Sequence, residues 1–173
     1  EVGARLAQVL ATGTGSVNVD GKVDPKQEVK VAHRVAIDLS DRKLYAYEND
    51  TVVKTLNVVV AEGNDNVTGE CVGMMCTPTG DFNVWQKVAQ SRYERHAESC
   101  RWHGGKHGMS KDVGFVNYFS SGCAIHRIAG GYVADAVMPS IANGSHGCVG
   151  IGWDVAEWFY NWCNMGTSVH IQV

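Results

Sequence analysis

The sequence predicts a mainly β fold with a few short helices, and three observations carry that expectation. Residues 35–60 hold one short apolar-alternating run after another, separated by turn residues. Two stretches, near residues 2–10 and 155–162, repeat apolar residues at helical spacing. The 173 residues, 45% hydrophobic and 19% charged, suffice for one core with a small appendage.

In chain order, Val2, Leu6, Val9 and Leu10 have helical spacing that Gly13 and Gly15 end, and Ser16 to Asp20 alternates like a strand. Gly21 to Lys30 is polar and contains Pro25. One helix and one strand make no independent core, so residues 1–30 read as the tail of a preceding domain, a linker, or a strand added to the main sheet. The chain starts at Glu1 without a signal-peptide pattern, as expected of a processed protein or an excised piece. From His33 the order is strand, turn, strand: Val35 to Leu39, a turn at Ser40 to Lys43, Leu44 to Glu48, a turn at Asn49-Asp50, then Val52 to Val60. Short strands in series predict antiparallel pairing. Pro78 and Gly80 in Thr77-Pro78-Thr79-Gly80 set a tight turn before Asp81 to Val84.

Residues 85–122 form the least regular part and read as a lid-like loop. Five cations (Arg92, Arg95, Arg101, Lys106, Lys111) against Glu94 and Glu98 give +3 between residues 92 and 111, interspersed with Tyr93 and Trp102 and followed by Phe115, Tyr118 and Phe119. Cations and aromatic faces would suit a ligand carrying carboxylates and sugars. A solvated excursion is the plainer alternative. Cys123 to His126 closes an apolar run that reads as a buried strand. Asp154-Val155-Ala156-Glu157 resembles a capping box with Asp154 as N-cap, and Val155, Trp158, Phe159 and Trp162 give the following helix one core-facing stripe. That helix should end near Gly166, and Val169, Ile171 and Val173 alternate in a closing strand.

The chemistry concentrates at Ser145-His146-Gly147-Cys148. A cysteine acts as a nucleophile only as thiolate, so it needs an imidazole or dipole to take its proton, an exposed position, and donors for the oxyanion it creates. Gly147 permits unusual dihedrals beside the sulfur, which would let the N–H groups of Gly147 and Cys148 converge on one point. Two imidazoles are candidates for the base: His146 within the turn and His126 at a strand end. Each residue also has a structural reading, since free cysteines and lone histidines are commonly core residues.

Six cysteines are many for a cytosolic domain yet too irregular for a disulfide scaffold. Cys71 and Cys76 flank a short turn and are the expected bridge; Cys100 with Cys163 or with Cys123 is the further option. Zinc held by Cys71, Cys76, Cys100, His96, His103 and His107 is the rival arrangement, but no C-x-x-C is present and glycines surround the two closely spaced histidines, so no metal is expected. A net charge of −3 gives no reason to expect nucleic acid, and no apolar run approaches the length of a membrane span.

The pattern of His126, eighteen residues, then Ser145-His146-Gly147-Cys148-Val149 resembles the signature of the YkuD-type L,D-transpeptidase catalytic domain, bacterial enzymes that cross-link peptidoglycan. The Val35–Glu48 strands, Thr77-Pro78-Thr79-Gly80-Asp81-Phe82, the lid-like loop and the Trp158-Phe159-Tyr160 helix resemble it in the same order, so the resemblance covers about residues 33–173. It implies a YkuD-like β-sandwich at 31–173, an extracellular domain before it, Cys148 as nucleophile and His126 as general base. The carbonyl of Arg127 would orient that imidazole. His146, Gly147, Ser145 and Tyr118 would shape the oxyanion site and the substrate contacts. It further implies that a tetrapeptide stem loses its terminal D-Ala to a thioester, which a second stem resolves as a 3→3 cross-link. Carbapenem acylation, no cofactor, a location at the bacterial cell wall or surface and membrane anchoring of the full-length protein complete that picture. Two departures stand out: Gly150 occupies the place of the usual Asn or Arg, and Arg127 to Gly131 lacks the usual aromatic.

Three other readings use the same residues. With water as acceptor the site is an L,D-carboxypeptidase, and without a competent thiolate the domain is a silent wall-binding module. A thiol redox protein would need a resolving cysteine in a C-x-x-C, which is absent.

Overall fold

Alternation of apolar and polar residues makes the first hairpin. Val35 and Ile37 point inward from β1 (His33–Asp38), as do Leu44 and Ala46 from β2 (Lys43–Glu48), and all four are fully buried. Each such aliphatic side chain contributes on the order of 1.5–3 kcal/mol through burial. Asp38 ties the intervening turn, accepting hydrogen bonds from Ser40 Oγ at 2.7 Å and the Asp41 amide at 2.9 Å. In the computed structural model residues 31–90 and 113–173 are described. The expected helix and strand before residue 31 and the charged stretch at 92–111 lie outside them.

The chain continues through β3 (Thr51–Val59), β4 (Gly80–Asn83), β5 (Gln86–Gln90), β6 (Gly114–Ser120) and β7 (Cys123–Arg127). A 3-10 helix at Asp135–Ser140, β8 (Val149–Ile151), α1 (Trp153–Trp162) and β9 (Ser168–Gln172) follow. Among the described residues, the nine strands join one sheet in the order β4-β9-β1-β2-β3-β8-β7-β6-β5. The long β3 makes the bend: Thr51 to Asn57 pair with β2, whereas Val58 and Val59 pair with β8. The ends curl toward each other, bringing the rings of Phe82 and Phe119 to 5.4 Å. The sandwich is therefore a single curled sheet. Its inner face, filled by Val35, Leu56, Ile125, Val149 and Ile171, closes over Ala156 and Phe159 of α1.

Three expectations are corrected. Pairing is mixed, because β9 runs parallel to β1 and β8 parallel to β7. Each of these pairs is joined by a long crossover that allows the parallel direction. The ends of the expected 85–122 loop are strands, with Gln86 opposite Tyr118 and Gln90 opposite Gly114. The third concerns α1, which starts at Trp153 after Gly152 and ends at Trp162, short of Gly166. Asp154 does not cap it; its carboxylate accepts the Asp135 amide at 2.8 Å. Negative charge in the first turn still suits the helix dipole. The predicted stripe holds: Val155 and Phe159 are buried, and Trp158 stacks on Trp162 with centroids 5.6 Å apart.

Cys71 and Cys76 are bridged, as expected from their spacing, which consumes two thiols of the zinc arrangement. Cys163 is a buried free thiol, so its pairing with Cys100 is not made.

Candidate active site

The site lies on the face of β6, β7 and β8 turned away from the main core. Ile125 and Val149 are register partners and point into the core, so their neighbours Ala124 and Cys148 point the other way. There they form a second cluster with Val113 and Val116, against which Tyr118 packs. His126 lies on this same face, opposite Gly150 and two residues beyond Ala124. Thiol and imidazole are thus diagonal neighbours on one face of adjacent parallel strands.

Local structure fixes each group. His126 is 6% exposed, and its Nδ1 lies 2.7 Å from the Arg127 carbonyl. A carbonyl only accepts, so Nδ1 carries the proton and Nε2 is left as the basic nitrogen. The Arg127 side chain leaves on the opposite face and stacks on Trp153 at 3.8 Å. Trp153 also donates its indole N–H to the Ile128 carbonyl at 3.1 Å. Trp153 therefore braces the segment after the histidine. Gly150, where the resembled family has a larger residue, has Ile128 Cβ 3.6 Å from where a Cβ would stand.

Cys148 is 4% exposed, not open as the sequence reading asked, and its Sγ lies 3.9 Å from the Gly122 carbonyl. Gly147 has φ +134°, and a Cβ there would stand 2.7 Å from Cys123 Sγ, so only glycine fits. Ser145 Oγ donates to the Cys148 carbonyl and accepts from Gly147 N–H at 3.4 Å. The long Gly147 bond turns that amide toward Ser145 Oγ. His146 is exposed, whereas His126 is buried.

A network that the sequence reading missed anchors this turn to the end of β3. Ala61 bridges Ser145 in parallel, and Glu62 N–H donates to the Ser145 carbonyl at 2.9 Å. Asn143 Oδ1 accepts from Val60 N–H at 3.3 Å, and its amide donates to the Asn64 carbonyl at 3.3 Å. Buried Asn64 accepts the Thr77 amide and donates to the Gly69 carbonyl, both at 2.8 Å, while Thr77 Oγ1 accepts from Ala61 N–H at 3.1 Å. The Thr77 turn thus supports the cysteine loop. No periodicity or motif marks such bonds between distant loops.

The family model of the L,D-transpeptidase catalytic domain, YkuD, matches residues 32–171. The chain belongs to the YkuD family. No curated protein sequence matches the chain at a significant level. Among solved structures, an L,D-transpeptidase from Mycobacterium smegmatis is 18% identical with a TM-score of 0.58, over 83% of this chain and 59% of its own. The L,D-transpeptidase of Xylanimonas cellulosilytica is 22% identical with a TM-score of 0.55, over 97% of this chain and 69% of its own. An L,D-transpeptidase in complex with imipenem is 17% identical with a TM-score of 0.56, over 82% and 59%. At these identities the likeness shows the shared fold. The chain spans 59% of the length of the first of these relatives.

Proposed function

We propose that Cys148 is the acylated nucleophile of an L,D-transpeptidase and His126 its general base. The observation that carries this is their shared face on β7 and β8, with His126 Nδ1 held by the Arg127 carbonyl. Nε2 accepts the thiol proton, and Sγ attacks the carbonyl carbon of the third residue of a tetrapeptide stem. Collapse of the tetrahedral oxyanion breaks the bond to D-Ala, whose amine takes the proton from His126 and leaves a thioester. The acceptor amine gives its proton to His126, attacks the thioester, and forms the 3→3 cross-link as Sγ departs with that proton. Tyr118 packs beside the thiol, Ser145 and Gly147 hold the turn, and His146 is exposed on it.

The Cys71–Cys76 bridge supports an extracytoplasmic location, at the bacterial wall or surface. The imipenem complex of a structural relative supports carbapenems as inhibitors that acylate Cys148. Residues 31–173 are the catalytic domain in this reading, with 1–30 the end of a preceding one.

The test is product analysis by liquid chromatography and mass spectrometry on disaccharide-tetrapeptide. Release of D-Ala with a 3→3 dimer, lost in Cys148→Ala, is the expected result. Release of D-Ala without dimer indicates hydrolysis, and no release from either protein contradicts the acyl-transfer reading.

A further inference from the structure

Trp85 is 49% exposed, the most exposed tryptophan among the described residues. Trp158 is covered by Trp162 and Lys54, and Trp162 by Trp158 and His33. Trp85 is instead fixed by its backbone, whose N–H donates to the Tyr118 carbonyl at 3.0 Å, and its ring lies 5.6 Å from that of Tyr118. Leaving an indole half in water forfeits much of its burial energy, and fixing it beside a second ring makes a platform.

The register places this platform in line with the thiol. Gln86 pairs with Tyr118, and Tyr118 pairs with Ala124. Cys148 stands beside Ala124, one position before the Ile125–Val149 pair. The row from Gln86 to Cys148 thus crosses three strand spacings, about 14 Å. It is uncharged. Among the described residues, Lys87 of β5 is spent on the carbonyls of Tyr160 and Cys163 at the end of α1. Asn83 and Gln86, two residues before Trp85 and one after it in the chain, are exposed amides.

Aromatic faces beside amides, without a charge, suit a neutral ring bearing hydroxyl and acetamido groups. An extended stem of three residues plus its lactyl link covers roughly the same 14 Å between sugar and scissile carbonyl. We propose that Trp85 and Tyr118 form a subsite that stacks the N-acetylated sugar carrying the donor stem, while Cys148 attacks the third residue. This rests on the transpeptidase reading above.

The test compares disaccharide-tetrapeptide with sugar-free tetrapeptide as donors, using wild type, Trp85→Ala and Trp85→Tyr. Trp85→Ala is expected to raise KM for the disaccharide donor about 10-fold, the worth of one aromatic contact. KM for the sugar-free donor and the rate of imipenem adduct formation stay within about twofold, which also shows that the variant is folded. Trp85→Tyr restores most of the disaccharide KM. Equal loss with both donors, or no preference of wild type for the disaccharide, overturns the subsite. Should wild type turn over neither donor, the transpeptidase reading fails, and the subsite is decided by equilibrium binding of the disaccharide alone. Wild type then binds and Trp85→Ala does not; equal binding by both overturns the proposal.

Discussion

Gly147 shows most directly how one residue serves the site. Its φ of +134° and the 2.7 Å approach of Cys123 Sγ to a notional Cβ leave alanine both strained and overpacked. Gly147→Ala should cost about 2–3 kcal/mol, read by denaturant unfolding, and should slow acylation of the neighbouring thiol. Cys163 is the opposite kind of thiol. Burial pushes its pKa up to about 11, against weaker lowering by the Thr167 hydrogen bond and by Lys87. At neutral pH it stays protonated, and an alkylating agent should leave it unlabelled until the protein unfolds. Because the folded pKa is raised, the associated stability is fully present below about pH 9 and is lost as pH rises to about 11. Two pKa steps correspond to roughly 2–3 kcal/mol, so wild type should lose that much more than Cys163→Ala in unfolding titrations across this window. Equal alkaline slopes would count against the buried neutral thiol. Cys148 and His126 stood out in the sequence as candidates because a thiol beside glycine and a strand-end imidazole point to chemistry by their identities. Trp85 and Asn64 were not, because their meaning lies in partners far along the chain.

At the scale of elements, the cysteine turn is held by β3 and the loop after it. The Asn64 side chain joins two backbone groups, the Gly69 carbonyl and the Thr77 amide, while only 3% exposed, and its own backbone carbonyl accepts from the Asn143 side-chain amide. Asn64→Ala leaves buried amide and carbonyl groups unpaired and should cost about 2–3 kcal/mol, with acylation slowed as the turn loosens. Thermal melting and adduct rates measured together check this. An unchanged melting temperature contradicts the network. The strands β1, β2 and β9 were legible because one face of each is buried, so apolar residues alternate, and β3 because it is a long run rich in valine. β5 escaped notice because Gln86-Lys87-Val88 offers one apolar residue and pairs at the sheet edge. The start of α1 was misplaced because an acidic residue before an apolar run looks like a cap, whereas tertiary structure spends Asp154 on Asp135.

Over the whole molecule, the curl of one sheet creates two faces with different tasks: an apolar interior under α1, and an outer face where β6, β7 and β8 present Tyr118, His126 and Cys148. Composition and alternation predicted a β-rich fold with one core, but not the strand order, since local pattern carries no information about which strands become neighbours. The parallel β7–β8 pair, which puts His126 and Cys148 on one face, is of that kind. The Cys71–Cys76 bridge closes a short loop, and by chain entropy should contribute ~2 kcal/mol. Reduction should lower the melting temperature by several degrees, and a Cys71→Ala/Cys76→Ala variant should match the reduced protein. The most direct test of the central claim is intact-protein mass spectrometry after incubation with imipenem, comparing wild type, Cys148→Ala and His126→Ala. The account predicts one adduct per wild-type chain, none on Cys148→Ala, and formation at least 100-fold slower on His126→Ala, on the order of a general-base contribution. An adduct that persists without Cys148, or that forms equally fast without His126, would contradict it.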